Sequence, residues 1–374
     1  MKNNFSFILL LFTVFVFSQY GPQNLAKSDR SLWSLPFNSE KDFDVASKCE
    51  MLVFIEVFND YDSYSEEKIK TLTNLKNINS NSIERWKNET KKILLENFNS
   101  LENESISTII KISNKPTWEN LSTIEIKKQL PEKLHLWYEN SKTFYQNYLY
   151  EQIRLAALFP KITSEIATFN PNEITGNEFE QKHFLLTFDD GPTPQKGNTD
   201  KTLQMLSNNN LTGVFYVLGD AFQNRKNTTS TQALKELYKN QSVASHGKEH
   251  LSHQKLATWK NSIDFTNNQI QTVFGKTNID FRPPYGQRNK EVAQYLQDKD
   301  SKIILWNIDS QDWNQKISAQ EVADRQITLM LLWRKGILLF HDVHSKAQMA
   351  VPIINKYLKN CKINWVSPSY LNKI

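Results

Sequence analysis

The sequence predicts an α/β C-terminal half preceded by a mostly α-helical N-terminal region, and three observations carry that prediction. From His183 onward, short apolar β-rich runs alternate with helical segments. No glycine occurs between Pro22 and Thr175, and six of the seven histidines follow Lys182. Regular strand–helix alternation argues for a parallel sheet or barrel, in which functional residues gather at the carboxyl ends of strands. The 374 residues are enough for two units that each bury a core. With 39% apolar and 23% charged residues and 2 Cys, the chain is not collagenous, disordered or a disulfide scaffold.

Residues 1–18 read as an export signal. Lys2 is the positive start, Phe5 to Phe17 is an almost wholly apolar run, and Val16-Phe17-Ser18 suits cleavage after Ser18. The thirteen-residue run is short of the roughly 20 residues a bilayer span requires, so a retained anchor is the alternative reading. Export to the periplasm or the extracellular space follows, with no membrane span after cleavage. Export also admits a Cys49–Cys361 disulfide, although two independent buried thiols fit equally well.

Residues 19–170 form the helical region, of unassigned role. Between Pro131 and Phe159, Leu134, Trp137, Tyr138, Tyr145, Tyr148, Leu149, Leu155, Leu158 and Phe159 recur in steps of three, four and seven, the spacing of a packed helix core. Asn170-Pro171-Asn172 through Gly176-Asn177 reads as turn-rich, and 171–182 as a linker. In 183–374 the expected strands are His183–Phe188, Gly213–Leu218, Ser242–Ser245, Ile303–Ile308, Ile337–Phe340 and Ile363–Val366. Helices are expected at Asp200–Leu206, Thr231–Lys239, Trp259–Phe274, Gln320–Trp333 and Lys346–Leu358.

Charge is unevenly divided. Residues 19–182 hold 20 Lys+Arg against 24 Asp+Glu, and 183–374 hold 24 against 16. The halves are therefore expected to attract one another. No basic and aromatic interleaving points to nucleic acid.

Asp189-Asp190-Gly191-Pro192 closes the apolar run Phe184-Leu185-Leu186. Adjacent carboxylates at a strand end are costly unless paired or bound to a cation. His246 and His250, spaced i, i+4, project from one face of a helical turn. With a carboxylate they make a two-His, one-carboxylate metal site with open positions, zinc being the first expectation. The pair His250/His253 is an alternative ligand set. His341-Asp342 ends another apolar strand, where a histidine more often faces a site than a core. His183 and His344 read as structural, and Asp309 as a loop brace.

In order, Asp189-Asp190, His246 to His250, Arg282-Pro283-Pro284-Tyr285-Gly286, Asp309 to Trp313 and Leu339-Phe340-His341-Asp342 resemble the five motifs of the polysaccharide deacetylase family, the NodB-homology domains of carbohydrate esterase family 4. Val214 to Gly219 resembles that family's second strand, and the likeness spans about 183–366. The resemblance implies a distorted (β/α) barrel and hydrolysis of N-acetyl, less often O-acetyl, groups on a polysaccharide such as peptidoglycan or a chitin-like polymer. It implies a divalent metal (Zn²⁺, with Co²⁺, Ni²⁺ or Mn²⁺ as alternatives) on Asp190, His246 and His250, with Asp189 as general base and His341 as general acid. Arg282 would hold Asp189, Asp312 would orient His341, Trp313 and Leu339 would wall the acetyl pocket, and the Tyr285 N–H would bind the oxyanion. A small-amide hydrolase and a non-catalytic glycan-binding envelope protein are the alternative functions.

One position departs from the family pattern. Gly247 stands where Ser or Thr usually follows the first metal-binding histidine, and loss of that hydroxyl is expected to loosen metal binding.

Overall fold

The computed structural model describes residues 24–101, 106 and 109–374, so the export signal lies outside the described residues. The helical region comprises α1 (Glu40–Asp62), α2 (Glu66–Thr73), α3 (Ser80–Asn99), α4 (Trp118–Ser122), α5 (Ile126–Gln129) and α6 (His135–Leu158). Side-chain caps start several of these helices. Ser39 accepts from the Asp42 N–H at α1, and Asn79 accepts from Ser82 at α3. The Asn79 amide also donates to the Phe159 carbonyl, tying α3 to the end of α6. Trp137, Tyr138, Tyr145, Tyr148 and Leu149 are buried on α6, in agreement with their helical spacing.

The second half contains β1 (Glu173–Ile174), β2 (His183–Asp189), α7 (Asn198–Asn208), β3 (Gly213–Val217), α8 (Gly219–Thr228), α9 (Thr231–Leu237), β4 (Ser242–Ser245), α10 (Trp259–Phe274), α11 (Lys290–Asp298), β5 (Ile303–Ile304), β6 (Ile308–Asp309), α12 (Ala319–Trp333), β7 (Gly336–His341), α13 (Lys346–Tyr357) and β8 (Asn364–Trp365). The strands run parallel in the order β4-β3-β2-β7-β6, with β8 alongside β2. Phe281 bridges Ser245 of β4 to Ile303 of β5, and β5 pairs with β1, so the sheet curls almost into a barrel. Asn307 spans the remaining seam: its Oδ1 accepts from Ile337 N–H and its Nδ2 donates to Asn177 Oδ1.

Two expectations change here. Residues 171–182 are not a free linker, because β1 pairs with β5 and Glu173 is buried against Arg288. The run Ile303–Ile308 is two strands, since β5 pairs with β1 while β6 pairs with β7, and Leu305 to Asn307 cross between the partners. Helices α8 and α11 had not been anticipated.

The halves share a core. From Val322 to Trp333 every residue of α12 is buried, because α12 packs against α1 and α3 on one side and β6, β7 and α13 on the other. The expected charge attraction takes definite form. Arg325 meets Glu151 at 2.8 Å, Arg334 meets Asp44 at 2.7 Å, and Lys362 meets Glu40 at 3.0 Å. Cys49 and Cys361 are both free and buried. Among the described residues no helix is long and apolar enough to cross a membrane.

Candidate active site

The parallel register brings the motif residues to one end of the sheet. Asp189, the last residue of β2, stands beside His341, the last residue of β7. His246 directly follows β4, and its N–H donates to the Val217 carbonyl at the end of β3. Asp190 adopts a left-handed backbone with φ 81°, at the turn where the chain leaves the sheet. Its N–H donates to the Tyr216 carbonyl, and the Gly191 N–H donates to Asp342 Oδ1 at 3.0 Å.

Asp190, His246 and His250 converge, each offering a ligand atom within 4.8 Å of the others. His246 Nε2 is 3.4 Å and His250 Nε2 3.5 Å from the same oxygen, Asp190 Oδ1. That oxygen is buried without a hydrogen-bond partner. His246 Nδ1 lies 2.7 Å from the Arg282 carbonyl, which can only accept, so the proton sits on Nδ1 and the Nε2 lone pair faces Asp190. Burial lowers His250 to about 4 despite the pull of Asp190, leaving its imidazole neutral and ready to ligate at neutral pH. At Asp190 burial acts upward, but the contact with His246 and the charges of His341 and His250 prevail and hold it below the usual carboxylate range. An orphaned carboxylate oxygen facing two imidazole nitrogens fits a divalent cation.

The i, i+4 spacing works here through a loop rather than the expected helical turn. His253 faces away from the cluster: its Nδ1 lies 2.9 Å from the Leu251 carbonyl and its Nε2 3.0 Å from Ser262 Oγ. The alternative pair His250/His253 is therefore not assembled.

Each polar motif residue has a dedicated support. Arg282 is fully buried and its Nη1 donates to Asp189 Oδ1 at 2.9 Å and to Thr187 Oγ1, while Nε and Nη2 donate to the Ile304 and Leu305 carbonyls. Asp312 Oδ1 is 2.7 Å from His341 Nδ1, and Oδ2 accepts from the His341 N–H. Burial lowers His341, but the Asp312 carboxylate, aided by Asp190 and Asp189, outweighs it and raises the imidazole to about 10. Asp309 accepts from the Gln311 N–H and side chain, bracing the loop that delivers Asp312. Leu339 is buried in the barrel, whereas Trp313 and Tyr285 stand exposed. The Tyr285 ring meets His250 edge-on at 4.3 Å, and its backbone is left-handed at φ 59°. His183 stacks on Tyr370 and the His344 N–H donates to the His341 carbonyl.

Residues 176–304 match the family model described as polysaccharide deacetylase. That segment is a domain of that family. A peptidoglycan-N-acetylglucosamine deacetylase of Bacillus cereus is 27% identical over 222 residues, covering 55% of this chain and 75% of that protein. A peptidoglycan-N-acetylglucosamine deacetylase of Listeria monocytogenes is 30% identical over 166 residues, covering 44% of this chain and 33% of its own. Among solved structures, a crystal structure of a peptidoglycan N-acetylglucosamine deacetylase aligns with 21% identity and a TM-score of 0.48, covering 54% of this chain and 92% of that one. The deacetylase domain thus begins before residue 183: the matched segment opens at 176, inside the stretch expected to be a linker.

Sequence reasoning missed Arg288 and Glu173. The Arg288 guanidinium donates to Glu173, to the Gly286 carbonyl and to the carbonyls of Ser164 and Ala167, so it ties the Pro284–Gly286 loop to residues 164–173. An arginine two residues after the Arg282–Gly286 motif, with a carboxylate in the supposed linker, was the available signal.

Proposed function

We propose that this polysaccharide deacetylase is an exported, metal-dependent enzyme that hydrolyses N-acetyl groups on an N-acetylglucosamine-containing polymer such as peptidoglycan or a chitin-like glycan. The observation carrying this reading is the pairing of one orphaned carboxylate between two imidazoles with the Asp312–His341 dyad at the same end of the sheet. A divalent cation held by Asp190, His246 and His250, zinc on the chemistry of those donors, would supply water activation and carbonyl polarisation when bound.

Asp189, oriented by Arg282, takes the proton of the attacking water. As the water oxygen bonds to the acetyl carbon, the Tyr285 N–H donates to the developing oxyanion, and such a donor is worth about 3–4 kcal/mol. His341 passes its proton to the departing nitrogen as the C–N bond breaks, leaving acetate and a free amine. Asp312 keeps the other imidazole proton on Nδ1, so Nε2 carries the proton that is given. Leu339 and Trp313 flank the acetyl methyl. The relatives named above support a glycan substrate, and the apolar run after Lys2 supports export.

Acetate release from peptidoglycan and chitin-type polymers tests the proposal. The full chain with zinc should release acetate, chelation should stop it and added metal restore it. Asp189→Asn and His341→Ala should each reduce the rate roughly 10²–10⁴-fold. Undiminished release by either variant, or none from the folded wild type with any divalent metal, would sink the reading.

A further inference from the structure

A cleft between the two halves takes no part in this chemistry. It lies at the seam of the barrel beneath α3 and the end of α12, and is partly open to solvent. Glu89, Glu165 and Asp309 line it together with Trp86, Trp306 and Trp333, and among the described residues no Lys, Arg or His does.

Glu165 is the telling member. Its carboxyl accepts a hydrogen bond from its own backbone N–H, and among the described residues no cation stands within 4.0 Å of it. The nearby guanidiniums are engaged elsewhere, Arg288 with Glu173 and Arg325 with Glu151. Burial and the charge of Asp309 raise Glu165 to about 8. A half-buried carboxyl with no cation beside it, on a cleft whose Trp306 Nε1 is buried without a hydrogen-bond partner, favours a ligand that carries both a cation and hydrogen-bond acceptors.

The cation has an extended body rather than being a metal ion. Among the described residues only Asp190, His246 and His250 bring three ligand atoms together, so the cleft offers no three-ligand metal site. The indole faces between them attract an ammonium and stack on the apolar face of a sugar ring.

We propose that this cleft binds a protonated amino sugar, its ammonium held by Glu165 and Asp309 and its ring against the tryptophans. The choice of ligand rests on the proposed reaction, because a 2-amino sugar is what N-deacetylation leaves. The position suits a product-responsive site. The Glu165 backbone abuts Gly286, Asp309 leads directly into the loop bearing Asp312, and Trp306 lies 5.5 Å from the Arg282 guanidinium. An occupant therefore lies behind both loops of the candidate active site.

Titration of the metal-loaded full chain with glucosamine, N-acetylglucosamine and glucose, read by tryptophan fluorescence and calorimetry, tests this. Glucosamine should bind saturably, and roughly 10-fold or more tighter than the two uncharged sugars, the value of one charge-assisted contact. Glu165→Gln should lose about that factor while Asp189→Asn keeps full affinity. Glu89→Gln, altering only the exposed mouth, should weaken binding roughly 3-fold and serves if Glu165→Gln does not fold. Equal binding of the three sugars, no binding, unchanged affinity in Glu165→Gln, or loss of binding in Asp189→Asn would each overturn the proposal. Acetate release is scored separately: its absence refutes the deacetylase reading while glucosamine binding stands, and its presence without glucosamine binding refutes only the cleft.

Discussion

Gly247 sits between His246 and His250 with φ +82°, a conformation L side chains rarely adopt, and a Cβ there would lie 2.5 Å from the His253 ring. The missing Ser or Thr hydroxyl is therefore no simple loss: the His253 ring and Ser262 occupy that space, and the Arg282 carbonyl orients His246 independently. Gly247→Ser should lower both stability, by about 1–3 kcal/mol, and metal affinity, measured by thermal melts and metal titration. Tighter metal binding in that variant would show the hydroxyl to be the limiting feature. At His341 the folded-state value of about 10 lies above the ordinary 6.5, so its stabilising contribution is complete below about 6.5 and is lost as pH rises through about 10. An acid must be protonated to act, so the alkaline limb of the rate profile should follow this group. Asp312→Asn removes its main charge partner and should shift that limb to lower pH, with a fall in kcat. An unmoved limb would exclude His341 as the titrating acid. Asp189, Asp190, His246, His250 and His341 were legible from side-chain chemistry and local spacing, whereas the roles of Arg282, Tyr285, Asp312, Trp313 and Leu339 came only from the family resemblance. The choice of His246 over His253 as partner of His250 came from that resemblance too, because spacing does not say which way a loop turns each ring.

At the scale of elements, the Arg288–Glu173 pair joins a two-residue strand to the loop containing Tyr285. Both side chains are fully buried, so Glu173→Gln leaves a buried guanidinium without its counter-charge. The expected cost is about 3–5 kcal/mol, read by denaturant unfolding. A change below 1 kcal/mol would mean the pair does not brace the loop. Strands β2, β3 and β7 were legible because each is a compact apolar run. β1 was not, since two residues carry no periodicity and one of them is a glutamate whose partner lies 115 positions away. The division of Ile303–Ile308 escaped for a related reason: both pieces are apolar, and only their different neighbours separate them.

At the scale of the whole molecule, the helical half covers the barrel through α12 and closes the seam with residues 163–174. A fragment beginning at residue 183 lacks β1, the partner of Arg288 and the apolar cover of α12. It should fail to fold cooperatively, as judged by circular dichroism and thermal melts, and a sharp transition matching the full chain would show the halves to be independent. The opposite charges of the halves were legible as an attraction, and Arg325–Glu151 and Arg334–Asp44 are where it acts.

The sequence by itself determined the class of the C-terminal half, the identity of the metal-binding and proton-transfer candidates, and the helical nature of the preceding region. Those follow from local periodicity and side-chain chemistry, which neighbouring residues carry. The tertiary structure alone decided that residues 171–182 belong to the barrel and that Glu165 lines a cleft shared by both halves. Each of these depends on contacts between distant segments and on burial, and those exist only once the chain has folded.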